Sequence, residues 1–122
     1  MTSVLNVDTI ADKAGTGPVA LTKQHALKAY RKYDTNGGTT NTESFNYSSI
    51  TDGGTGDSTH TLTNSMSNTT YTVMHNTQFS TFSGVDNTTA QTTSAQRTGI
   101  YNASNSAVDV DQCFIHIAGD LA

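Results

Sequence analysis

From Leu27 onward the chain is dominated by alternation of apolar and polar residues at every second position, and no stretch sustains the three-to-four spacing of an amphipathic helix. "DSTHTLTNSM" sets His60 and Leu62 against threonines, and "TTYTVMHNT" sets Tyr71, Val73 and His75 against Thr70, Thr72 and Met74. "ESFNYSSIT" is read with Phe45 and Tyr47 on one face and the apolar pattern resuming at Ile50, while "SAQRTGIYNAS" and "VDVDQCFIHIAG" complete the set. Period two is the mark of strands with one wet face. Between these runs lie turn signals such as "DTNGG" and "DGGTGD".

Two regions are less regular. In "KQHALKAYRKYD" helix propensity competes with a two-faced pattern of Leu27, Ala29, Arg31, Tyr33 against Lys28, Tyr30, Lys32, which favours a strand from about Leu27 to Tyr33 after an optional helical turn. Asn76 to Thr93 reads as a long, irregular, threonine-rich loop, with Phe79, Phe82 and Val85 as its large apolar groups. The leading segment "SVLNVDTIADKAGTGPVALTKQ" alternates Val4, Asn6, Asp8, Ile10 against Leu5, Val7, Thr9, turns at the Gly-rich "AGTGP" and resumes as "VALT". It carries too little apolar surface to fold alone and needs another chain or surface to rest on.

These elements predict an all-β protein: an antiparallel β-sandwich or jelly-roll-like domain of about six to eight strands over residues 26–122, with an extended N-terminal arm over 1–25. The absence of strand-helix-strand alternation argues against a nucleotide-binding α/β fold.

Composition narrows the picture. Of 122 residues, 34% are apolar and only 13% charged, so Thr, Ser, Asn and Gly make up the balance, as suits turns and solvent-facing strands. The net charge of −4 is divided unevenly: residues 1–32 carry five Lys and Arg against two Asp, 5 − 2 = +3, and residues 33–122 carry Arg97 against eight acids, 1 − 8 = −7. An acidic body is a poor match for nucleic acid, because phosphate binding rests on clustered Lys and Arg. No apolar run approaches the length of a membrane span, so no membrane insertion is expected, and no signal-peptide pattern is present. Cys113 is the single cysteine, with no internal disulfide partner, and reads as a small buried hydrophobe.

Candidate chemistry is sparse. Asp52 and Asp57 with three nearby glycines have the residue types of a calcium loop, but the alternating acids and distal Glu of such loops are missing, and a tight hairpin is the better account. Thr59, Thr61 and Thr63 resemble an ice-binding ladder, yet only Thr70 and Thr72 come close to repeating it, so the wet face of a sheet suffices. His25, His60, His75 and His116 are never at metal-ligand spacing, although a trimer axis would collect three copies of one of them. No nucleophile elbow and no credible carboxylate pair is present, so no enzyme activity, metal or cofactor is expected. Phe79, Phe82, Asp86 and Asn87 in the long loop are the best functional candidates: they either anchor the loop on its own body, the favoured account, or form a contact surface suited to stacking on and hydrogen-bonding a sugar or a protein.

Read in order, "SVLNVDTIADKAGTGPVALTKQ", "KAYRKYDTNGGTTNTESFNYSSITDGGTGDSTHTLTNSMSNTTYTV" and "CFIHIAGD" resemble small tail-fibre and virion surface proteins of tailed bacteriophages, especially marine and cyanobacterial phages. Tyr30 stands where that group usually has a tryptophan. The resemblance implies a non-enzymatic structural protein of the virion, a homotrimeric short tail fibre or head spike. Its N-terminal arm, with Val4, Leu5, Val7, Ile10 and Lys13, would attach to phage capsid or tail proteins. Its outward loops would meet a host cell-surface glycan or protein. The alternatives are a capsid decoration protein that clamps the head without binding a receptor, and a lectin-like module free of any virion.

Overall fold

The computed structural model describes residues 27–78, 80–85 and 91–122. Eight strands form in this range: β1 Ala29–Asp34, β2 Thr40–Phe45, β3 Tyr47–Gly54, β4 Asp57–Leu62, β5 Thr72–Thr77, β6 Thr81–Val85, β7 Ala95–Asn102 and β8 Cys113–Ala118. They make two four-stranded antiparallel sheets, ordered β2-β1-β8-β5 and β3-β4-β7-β6, and the described residues contain no helix. The expected all-β sandwich is therefore present. The arm expected over 1–25 lies outside the described residues.

The alternation in the sequence decides which side chains meet between the sheets. From β1 and β8 come Ala29, Tyr33, Cys113, Ile115 and Ile117, and from the facing sheet Tyr47, Leu62 and Ile100, all buried in one cluster with Met66, Tyr71 and Val110. Each fully buried isoleucine contributes on the order of 1.5–3 kcal/mol of transfer free energy. Cys113 is buried and free, as its place in an apolar run predicted.

Three sequence readings need correction. Phe45 and Tyr47 do not share a face: Asn46 between them has φ 59°, which turns the chain out of one sheet and into the other. Phe45 is left 54% exposed while Tyr47 is buried. Asn76–Thr93 is not one long loop, because β5 runs to Thr77 and Thr81–Val85 pairs with β7 as the sheet's edge. Thr63 lies beyond the end of β4, so the outward threonines on that strand are Thr59 and Thr61, with Thr51 opposite Thr59. Arg31 lies on the face of Ala29 and Tyr33, as the alternation placed it, 2% exposed and directed into the core.

The hairpin β3–β4 explains its glycine-rich sequence. Gly54 pairs with Asp57 across the two-residue loop Thr55-Gly56. Gly56 has φ +67°, and a Cβ there would stand 2.5 Å from the Ile100 carbonyl oxygen and 2.9 Å from the Val108 nitrogen. Its amide donates to Asp109 Oδ1 at 2.7 Å, which clamps the loop to the segment before β8. Only glycine meets both demands.

Candidate functional site

The interior is unusually polar on one flank. Arg31 Nη1 donates to the Ser49 carbonyl at 2.8 Å and to His60 Nδ1 at 3.3 Å, and its guanidinium carbon lies 4.4 Å from the centre of the Tyr47 ring. A guanidinium only donates, so His60 Nδ1 must accept and the proton sits on Nε2, which donates to Ser58 Oγ at 2.9 Å. Tyr33 meets the same imidazole edge-on at 4.6 Å. Burial, then the Arg31 charge, then His75 push the His60 pKa down to about 3; burial pushes that of His75 down to about 4. Burial also raises the pKa of the Tyr33 and Tyr47 hydroxyls.

Ser58 and His60 have the separation of a nucleophile and its base, but the chemistry is reversed. The imidazole nitrogen facing Ser58 carries a proton, and the other nitrogen is occupied by Arg31, so His60 has no lone pair to take the serine proton. Both residues are also 0% exposed. This cluster ties β1 to β4, leaving Arg31 Nε, Tyr33 Oη, Gln96 Oε1, Thr98 Oγ1 and both ring nitrogens of His75 buried without partners.

The two acids singled out in the glycine-rich turn have separate structural duties. Asp52 Oδ1 accepts from the Gly54 amide at 2.8 Å, while Asp57 forms a bidentate ion pair with Arg97. Among the described residues no group of three His, Cys, Asp or Glu side chains is placed to hold a metal ion.

The outer faces of the sheets differ in chemistry. On β2-β1-β8-β5 the pairing Phe45↔Tyr30↔His116↔Met74 runs across all four strands, and Glu43↔Lys32↔Phe114↔Asn76 lies beside it. Tyr30 stacks on Phe45 at 6.0 Å between ring centres and donates to Glu43 at 3.2 Å, while Lys32 sits 5.7 Å from the Phe114 ring centre. Phe45 and Met74 are more than half exposed. A groove of about 440 Å³, lined by Met74, His75, Asn76, Phe114 and His116, opens at the β5–β8 side of this face. On β3-β4-β7-β6 the outer face carries instead Thr51, Thr59, Thr61 and Arg97, with Phe82 opposite Tyr101 at one end.

Of the residues named from the sequence, Phe82 lies on the outer face of β6 and is 64% exposed. Phe79, Asp86 and Asn87, the arm residues Val4, Leu5, Val7, Ile10 and Lys13, and His25 lie outside the described residues. Sequence reasoning missed the aromatic rows on the first sheet, because their members come from four distant strands. The available signal was that "AYRKYD" and "CFIHIA" each place an aromatic residue on the face opposite their buried one. No family model, no curated protein and no solved structure matches the chain.

Proposed function

We propose that this is a non-enzymatic structural protein of a tailed-phage virion: a short trimeric tail fibre or head spike, attached through residues 1–25 and presenting its sandwich to the host surface. The observation that carries the reading is the contrast between the two outer faces. One bears Phe45, Tyr30, Phe114 and Met74 in two adjacent rows shared with His116 and Lys32, and the other is rich in hydroxyls over Thr51, Thr59 and Thr61, with Phe82 and Tyr101 at its β6 end. An apolar patch of this kind on a small domain marks a surface that is covered in use. A hydroxyl-rich face is suited to staying wet. The resemblance of the leader and of "SSITDGGTGD" to phage appendage proteins supplies the setting. In this reading the first face meets neighbouring copies around a threefold axis, and the β6 edge with Phe82 faces the host; Phe79, Asp86 and Asn87, the other contact candidates named from the sequence, lie outside the described residues.

Native mass measurement of the full chain at micromolar concentration tests the assembly, with a threefold mass expected and monomer alone counting against it. Purified protein is further expected to block adsorption of a phage that carries it. A capsid decoration protein would share the covered face and associate with particles, but would leave adsorption unchanged.

A further inference from the structure

On β7 the outward residues are, in succession, Arg97, Gly99 and Tyr101. The outer half of the Tyr101 ring lies back over Gly99: a Cβ at that glycine would stand 2.8 Å from the ring's Cε2 and 3.3 Å from its hydroxyl oxygen. Glycine is what lets the ring rest against the sheet. Tyr101 remains 40% exposed, and Phe82, its partner across β6, is 64% exposed. Gly84 lies opposite Gly99, and among the described residues nothing stands within 4 Å of the place a Cβ would take, so the strip beside the ring is open on the side those residues define. On the far side of Gly99 the Arg97–Asp57 ion pair fixes charged hydrogen-bonding groups, and Thr59 and Thr51 continue the row with hydroxyls.

The backbone beneath is held from both sides. Tyr101 pairs with Phe82 on one flank and bridges to Ala107 on the other. Asn102 Oδ1 accepts from the amides of Ser104 and Ser106 at 2.9 and 3.0 Å, fixing the turn that follows. The backbone of β7 beneath Tyr101 is therefore held on both flanks before anything binds, which lowers the ordering cost of recognition.

We propose that this shelf, Tyr101 and Phe82 beside the Gly84 strip and the Arg97–Asp57 pair, is a binding site for a neutral carbohydrate chain. An exposed ring set against a sheet offers a π-face to the C–H-bearing face of a pyranose, and the adjacent polar pair is placed for its edge hydroxyls. Two rings bordered by polar groups are too little apolar surface for a protein hot spot, which needs a larger dry centre. The charge of −7 over residues 33–122 opposes nucleic acid and acidic polysaccharides alike. This inference rests on the host-contact part of the proposed function, and it is tested on the isolated protein so that the two can fail separately.

The test is titration of the full chain with cello-, malto-, xylo- and chito-hexaose, read by calorimetry and by Tyr and Phe ring resonances. At least one sugar is expected to bind and to shift the Tyr101 ring signals. Tyr101→Ala and Phe82→Ala are each expected to weaken binding about tenfold or more, and Tyr101→Phe to hold it within about threefold. Met74→Ala, on the opposite sheet, is expected to leave it unchanged. Gly84→Leu fills the strip without meeting any of the described residues and blocks binding even if an alanine variant fails to fold. Binding of none of the four sugars, or equal binding by wild type and Gly84→Leu, overturns the assignment. Sugar binding without any effect on phage adsorption would leave the site standing and remove the host-contact reading.

Discussion

Two hydrogen bonds fix the protonation of His60, and this makes the fold sensitive to acid. Arg31 claims one ring nitrogen and Ser58 accepts from the other, so a second proton would face a guanidinium 3.3 Å away inside the core. A histidine whose folded pKa lies below its unfolded value of about 6.5 leaves the unfolded state holding more protons in acid, so stability is lost as pH falls. With folded values of about 3 for His60 and about 4 for His75, the loss runs from near pH 6.5 down to those values. The expected slope is about 1.4 kcal/mol per pH unit for His60, with less from the partly exposed His75. Urea unfolding at pH 7 and pH 5 should therefore differ by about 2 kcal/mol, and His60→Gln should flatten the dependence; equal stability of the wild type at both values would refute it. At Gly56 the expectation is steric: Gly56→Ala drives a methyl group into the Ile100 and Val108 backbone and costs more than about 2 kcal/mol. Gly54→Ala meets no described neighbour but is strained at φ +112°, so its cost comes from the backbone alone, without the clash added at Gly56, and denaturation midpoints of the two variants measure each.

Among the elements, the passage from β2 to β3 depends on one side chain. Asn46 holds φ 59° while its Nδ2 donates to the carbonyls of Lys28 and Asn64 at 3.0 and 3.2 Å, and its Oδ1 accepts from the Asn64 amide at 2.8 Å. It thus joins the start of β1 to the end of β4 at the point where the chain changes sheets. Asn46→Gly keeps the backbone geometry and loses the bonds, at a cost of about 1–2 kcal/mol. Asn46→Ala loses both and should cost about 1 kcal/mol more; an alanine variant as stable as the glycine one would mean that the left-handed turn is unimportant. The same residue shows why sequence reading erred here. Phe-Asn-Tyr obeys period two on paper, and Asn is compatible with both an extended and a left-handed backbone, so the turn is invisible until Lys28 and Asn64 are in place. β6 was hidden for another reason: "TFSGV" carries its phenylalanine outward and a serine inward, the reverse of what a half-buried strand advertises. β4, β7 and β8 were legible because their apolar or half-buried positions recur at every second residue.

For the whole molecule, the two sheets bury one face each and leave two unlike outer faces, and the proposed assembly places the aromatic one between copies. Phe45→Lys combined with Met74→Lys charges that face at two exposed positions without touching the core, so self-association should be lost while the far-UV spectrum and unfolding midpoint stay near wild type. Sedimentation measures this, and an unchanged oligomer would move the contact to another surface. The sequence by itself determined the class of fold, the absence of helical periodicity, the burial of Cys113 and the acidic character of the body, because these follow from local alternation and composition. Only the tertiary structure decided that Arg31 is a core residue, that Asp57 answers Arg97, and that Tyr101 lies over Gly99 beside Phe82. Those relations join residues 18 to 40 positions apart, or turn on a side chain's direction across a sheet, and spacing along a chain carries no record of which strands will be neighbours. The glycine-rich turn between β3 and β4 belongs to both lists: composition announced a bend, and packing against Ile100 and Val108 decided why Gly56 can be nothing else.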